Sequence, residues 1–61
     1  MRPDLQLIAD LVQPRTRVLD LGCGNGDLLS YLKKHKSVTG YGLDVDAANI
    51  EQCLQRGVNV I

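Results

Sequence analysis

Residues 18–27 constrain the fold more than any other part of this 61-residue chain. They read Val-Leu-Asp-Leu-Gly-Cys-Gly-Asn-Gly-Asp, a β-suited apolar run that leads into three glycines at alternate positions. Leucines 28, 29 and 32 follow with helical spacing. The stretch therefore predicts a buried strand, a glycine loop and a helix. Because the loop backbone can approach a ligand closely and the helix start presents free N–H groups, we predict a small-molecule site there.

Charge and spacing around the loop decide between ligand classes. A dinucleotide fingerprint, Gly-x-Gly-x-x-Gly, would need a glycine where the chain has Asp27. A P-loop would need Lys and then Ser or Thr after its last glycine, and neither follows. Asp20 lies just before the loop, and two carboxylates there would repel a pyrophosphate. We therefore expect NAD and ATP to bind poorly, and a ligand with cationic groups and no phosphate to fit better.

The residues from Val18 to Gly26 resemble motif I of the class I S-adenosylmethionine-dependent methyltransferases. Over nearly the whole chain the sequence is most similar to the MetW family of methionine biosynthesis proteins, through residues 1–8, 36–42 and 52–61. The resemblance implies S-adenosylmethionine as cofactor and an accessory role beside homoserine O-acyltransferase. An S-adenosylmethionine-dependent methyltransferase acting on an unknown small molecule is the alternative, so enzymatic activity stays open. No catalytic residue can be named.

Site residues follow partly from the resemblance and partly from spacing. The resemblance implies that Asp20 orients the methionine amino group, with a loop-tying role as the alternative, and that Asn25 either contacts the amino-acid end of the ligand or caps the helix. Asp44 lies 22 residues after Gly22, the spacing of an acid that accepts hydrogen bonds from ribose. Asp46 is predicted to cap the next helix instead. The predicted cofactor-binding residues are Asp20, Gly22, Cys23, Gly24, Asn25, Asp44 and Val45.

The pattern along the chain predicts an α/β fold of order α-β-α-β-α-β, the N-terminal portion of a Rossmann-like class I methyltransferase domain. The expected helices are 2–12, 25 or 26 to 35, and 47–56, and the expected strands are 16–21, 38–43 and 58–61. Right-handed crossovers give a parallel sheet of local order 3-2-1 and place the helices on one face. The other face is then uncovered, so we expect the chain to self-associate.

Length, charge and cysteine usage bound the remaining possibilities. Sixty-one residues are few for a sheet covered on both faces, so we expect an incomplete single domain. The net charge is zero, so the chain lacks the excess of basic residues typical of nucleic-acid-binding proteins. No run of apolar residues is long enough to span a membrane. Cys23 and Cys53 lack metal-site spacing, and two thiols without an export signal indicate the cytoplasm.

Overall fold

The computed structural model describes residues 3–61 as helices and strands in strict alternation. Arg2, the expected first residue of the leading helix, lies outside the described residues. The other element ends agree with expectation or differ by one or two residues, as helix and strand ends commonly do. The elements are α1 (Pro3–Leu11), β1 (Arg17–Leu21), α2 (Asp27–Lys36), β2 (Thr39–Leu43), α3 (Ala47–Gln55) and β3 (Asn59–Val60).

The three strands of residues 3–61 form one parallel sheet with β2 in the centre. Leu19 pairs with Tyr41, and Tyr41 pairs with Asn59. This is the predicted order 3-2-1. Because the strands are parallel, their carboxyl ends lie at one edge, where the loop after β1 and the segment after β2 meet.

The core lies between the sheet and the three helices of residues 3–61, all of which cover the same face. One cluster joins Ala9 of α1 to Leu28 and Leu32 of α2. A second cluster joins Leu29 of α2 to Cys53 of α3. Half-buried Val18 of β1 packs against both clusters, so the sheet supports them together. The expected placement of the helices is confirmed.

The two glycines of β2 let the helix layer approach the sheet closely. A Cβ on Gly40 would lie 2.8 Å from Leu29 Cδ2, and a Cβ on Gly42 would lie 2.6 Å from Cys23 Sγ. Real side chains do not approach that closely, so any larger residue would push α2 or the loop away from the sheet. The closest neighbours of the two positions are therefore α2 and the glycine loop.

The opposite face of the sheet is bare within the described residues. Its apolar side chains are 37–73% exposed, whereas large side chains of parallel strands are normally covered on both faces. They are Leu19, Leu21, Tyr41, Leu43 and Ile61.

Polar groups close the helix ends. The Asp46 carboxylate accepts a hydrogen bond from the Ala48 N–H, which confirms Asp46 as the cap of α3. Gly57, at φ +73°, ends the same helix in the left-handed conformation. Lys36 Nζ donates to the carbonyls of Ala9 and Val12 and so holds the carboxyl end of α1 against α2.

Candidate functional site

A cavity of about 550 Å³ opens at the carboxyl end of β1, beside the glycine loop. This volume falls within the range of about 300–1,000 Å³ usual for small-molecule sites. The loop forms its floor, while α1 and α3 supply walls. The cavity is lined by Leu5, Ile8, Asp20, Gly22, Cys23, Gly24, Asn25, Asp27, Leu28, Asn49 and Gln52.

The glycine loop has the left-handed backbone that only glycine adopts without strain. Gly22 and Gly24 have φ values of +71° and +60°, and no atom lies within 4 Å of a Cβ built at either position. Their open side is therefore space that a ligand can fill. Gly26 differs, since a Cβ there would lie 3.0 Å from Cys53 Sγ. Gly26 therefore serves packing at the start of α2.

The Asp44 carboxylate joins the glycine loop to the start of α3. One of its oxygens accepts from the Gly24 N–H at 2.9 Å, and the other accepts from the Asp46 N–H at 2.8 Å. The hydrogen bond from Asp46, then that from Gly24, lowers the pKa of Asp44 below its ordinary value. Asp44 thus orders the loop through hydrogen bonds within the protein. It lies next to the cavity lining, through Gly24 and Asn49, and is not itself part of it.

Asp20 is the free carboxylate of the cavity. It is half-buried, and no side chain or N–H of residues 3–61 donates a hydrogen bond to it. Burial raises its pKa above the ordinary value because the charged form loses water without gaining a partner. The structure therefore does not show the alternative role of Asp20, in which its carboxylate would hold the loop backbone together by hydrogen bonds. Its carboxylate is available to bind a cationic or hydrogen-bond-donating ligand.

Asn25 and Asp27 define the start of α2. The Asn25 side-chain oxygen accepts from the Asp27 N–H at 3.1 Å, so Asn25 satisfies the first N–H of α2 from the position before the N-cap residue Gly26, and it also lines the cavity. Asp27 forms an ion pair with Arg56 at 2.8 Å, with both side chains about two-fifths exposed. The ion pair offsets part of the Asp27 charge. Repulsion of a phosphate at this loop therefore depends more on Asp20 than the sequence argument assumed.

The two remaining predicted site residues differ in position. Cys23 is buried, lines the cavity and fills the space above Gly42, as expected of a small apolar filler. Val45 is fully exposed and does not line the cavity. Its assignment to the cofactor site stays a prediction.

Six lining residues were not among the predicted cofactor-binding residues: Leu5, Ile8, Asp27, Leu28, Asn49 and Gln52. Ile8 of α1 is 48% exposed and faces the cavity with Leu5. Asn49 and Gln52 reach the cavity from α3. The available signal was their spacing, since each pair is three residues apart and shares a helix face. Which face meets the loop depends on how the helices pack.

The comparison that decides the family is a match of nearly the entire chain. The sequence profile described as "Methionine biosynthesis protein MetW" matches residues 2–61. The chain belongs to the MetW family.

Individual relatives of this MetW-family chain are methyltransferases. The ribosomal protein L11 methyltransferase of Methylobacillus flagellatus is 43% identical over 47 residues, which are 77% of this chain and 16% of that protein. Methyltransferases of Geobacter sulfurreducens and Thiobacillus denitrificans, both described as S-adenosylmethionine-dependent and solved with S-adenosyl-L-homocysteine, match with TM-scores of 0.81 and 0.83. Their identities are 29% and 26%, and each match takes in 100% of this chain.

These matches show the class I methyltransferase fold and confirm the predicted superfamily. The MetW-family chain spans 29% of the length of the two solved methyltransferases. Among residues 3–61, no helix is both long enough and apolar enough to cross a membrane.

Proposed function

We propose that this MetW-family protein binds S-adenosylmethionine at the glycine-loop cavity and acts as an accessory protein of homoserine O-acyltransferase in methionine biosynthesis. The observation that carries the cofactor assignment is the unobstructed space beside the backbone of Gly22 and Gly24, next to the unpaired carboxylate of Asp20. The membership of the MetW family supports the pathway.

The donor set fits this cofactor better than a dinucleotide. The lining of the cavity in residues 3–61 contains two carboxylates and no Lys, Arg or His. S-adenosylmethionine has an ammonium group and a sulfonium centre and lacks phosphate, so its charges complement Asp20. Leu5, Ile8 and Leu28 add an apolar wall for the uncharged parts of the ligand.

Each residue then has a binding role. Asp20 accepts hydrogen bonds from the amino group of the cofactor, and the backbone at Gly22 and Gly24 permits close contact. Asp44 holds the loop through Gly24 and offers its remaining lone pairs to the ribose hydroxyls. The bound cofactor supplies an activated methyl group, so transfer would need alignment of an acceptor rather than a strong protein base.

Methyl transfer to a small acceptor is the second candidate function. The identity with the ribosomal protein L11 methyltransferase favours it, and that match includes the glycine-loop half of the cofactor site. Both functions use the same cofactor cavity. They differ in whether the partner is an acceptor molecule or an acyltransferase.

Titration calorimetry with S-adenosylhomocysteine tests the cofactor assignment. We expect saturable binding of S-adenosylhomocysteine and S-adenosylmethionine, with NAD and ATP at least about tenfold weaker because Asp20 disfavours phosphate. NAD binding as tight as that of S-adenosylhomocysteine would overturn the charge argument.

Copurification separates the two functions. The full chain is tagged and incubated with purified homoserine O-acyltransferase, with an unrelated acyltransferase as control. Specific capture supports the accessory role. Absence of capture, together with methyl transfer from labelled S-adenosylmethionine to a small-molecule fraction, supports the methyltransferase.

A further inference from the structure

The two cysteines, 30 residues apart in sequence, meet behind the glycine loop. Cys23 Sγ and Cys53 Sγ are 3.7 Å apart, and both cysteines are free thiols. Cys53 is fully buried, while Cys23 is 8% exposed and lines the cavity. One thiol is therefore reachable by a small molecule from the cavity, and the other lies directly behind it.

The surroundings direct the Cys23 thiol toward Cys53. Gly42 lies under Cys23 so closely that a Cβ there would be 2.6 Å from Cys23 Sγ. On the far side, Cys53 Sγ is within 3.3 Å of the Gly24 carbonyl oxygen. Since the sheet blocks one direction and α3 presents a thiol in the other, an oxidised Cys23 has a partner already in contact.

We propose that Cys23 and Cys53 form a reversible intramolecular disulfide that ties the glycine loop to α3. A disulfide needs an S–S separation of about 2.05 Å, so the two sulfurs must approach by roughly 1.6 Å. The loop or the second turn of α3 has to move by that amount. This inference does not depend on which ligand the cavity binds.

The oxidant is hydrogen peroxide, which enters through the cavity, and the Cys23 thiol first loses its proton to solvent. The Cys23 thiolate attacks one peroxide oxygen, the O–O bond breaks, and the departing hydroxide takes a proton to become water. The resulting sulfenic acid is then attacked by the Cys53 sulfur. An S–S bond forms, the S–O bond breaks, and the hydroxyl leaves as water with the Cys53 proton. Two thiols lose two electrons, and one peroxide gains them.

Reaction is slow at neutral pH. Burial, followed by the hydrogen bond and proximity to Cys53, raises the pKa of Cys23 to about 11, and Asp20 and Asp44 add to this effect. The reactive thiolate is therefore a minor species at pH 7. The oxidation rate should rise about tenfold for each pH unit between 7 and 9.

Hydrogen peroxide treatment of the reduced full chain tests the proposal. Remaining thiols are alkylated under denaturing conditions, and the products are measured by intact mass and by peptide mapping without reductant. We expect the chain to lose two hydrogens, take up no alkyl groups, contain a cross-linked 23–53 peptide pair, and return to its original mass with dithiothreitol.

The variant C53S provides the matched control. Without a resolving thiol, its Cys23 should accumulate as a sulfenic acid that dimedone traps, while the wild type gives little adduct. Three results would overturn the proposal: cross-links only between chains, sulfinic acid on Cys23 with Cys53 still alkylated, or two unreacted thiols after prolonged peroxide treatment at pH 9, where the thiolate fraction is about a hundredfold larger than at pH 7.

Discussion

At the scale of residues, one acid in the cavity lining and one acid beside it have opposite environments. Asp44 accepts two backbone N–H groups and has a lowered pKa, whereas Asp20 has no donor within residues 3–61 and a raised one. The first carboxylate stabilises the fold in its charged form. The second is charged at a cost to stability, which is typical of a group positioned for a ligand.

The substitution Asp20→Asn should weaken ligand binding while it stabilises the fold. Asparagine keeps the shape and removes the unpaired charge, so S-adenosylhomocysteine affinity should fall about tenfold. The folded-state pKa of Asp20 is raised, so the contribution of the protonated Asp20 to stability is fully present below pH 3.8 and is lost as pH rises through the raised pKa. The variant should therefore melt higher at pH 7, with the difference vanishing toward pH 3.8.

Calorimetric titration and thermal melts at several pH values check both halves of this prediction. Because Asp20 is half-exposed, the gain in melting temperature should be small. A variant that melts lower than wild type at pH 7 would show that Asp20 has a structural partner.

The substitution Asp44→Asn should have the opposite dependence on pH. The folded-state pKa of Asp44 is depressed, so its contribution is present above 3.8 and is lost as pH falls through the depressed pKa. The variant should melt lower than wild type at pH 7, and the two should converge in acid. Asn49→Ala is the control, since it removes only the 3.5 Å amide contact and leaves both N–H groups bonded.

At the scale of elements, the three glycines of the loop share one backbone conformation and have different surroundings. All have positive φ, but only Gly26 is enclosed by other atoms, between Cys53 of α3 and Val58. The loop therefore has a packed end that joins it to the helix layer and an open end that faces the cavity.

A comparison of Gly26→Ala with Gly22→Ala separates the cost of backbone strain from the cost of overpacking. Each alanine adopts positive φ at a cost of roughly 1–2 kcal/mol, and Gly26→Ala adds an overpacking cost of about 1–3 kcal/mol. Gly26→Ala should therefore destabilise the fold more in urea unfolding. Gly22→Ala should instead lose more ligand affinity, because its methyl group enters the cavity. Equal destabilisation by the two would contradict the packing role of Gly26.

Sequence reasoning found the parts of the site that depend on local order. The position of Asp44 beside the loop followed from the length of one strand-helix-strand unit, and the Asp46 cap followed from its place before an apolar helix. It did not find the ion pair of Asp27 with Arg56 or the contact of Cys23 with Cys53. These join residues 29 or 30 positions apart and depend on the packing of α3 against the loop, which no local pattern specifies.

At the scale of the whole molecule, the sheet is covered on one side within residues 3–61. Parallel pairing predicted this asymmetry, because two successive right-handed crossovers in the same direction place their helices together. Leu19 and Leu21 of β1 lie beside Tyr41 and Leu43 of β2 on the bare face. A contiguous apolar surface of this kind favours association.

We expect the chain to self-associate through the bare face. Sedimentation of the wild type should give a mass that rises with concentration. Leu21→Lys places a charge on a side chain that is 72% exposed and should shift the equilibrium toward monomer. Leu54→Lys is the matched control, because Leu54 is 61% exposed on α3, away from this face. A wild type that stays monomeric at all concentrations would contradict the expectation.

The two hydrogen bonds that the Asp44 carboxylate accepts also have a consequence for the rates of amide hydrogen exchange. Its two oxygens hold the amide hydrogens of Gly24 and Asp46, which belong to different segments of the chain. Withdrawal of that one carboxylate exposes both amides to water in the same event. In deuterium exchange the two hydrogens should therefore be replaced at correlated rates, because one opening of the loop exposes both amides to solvent.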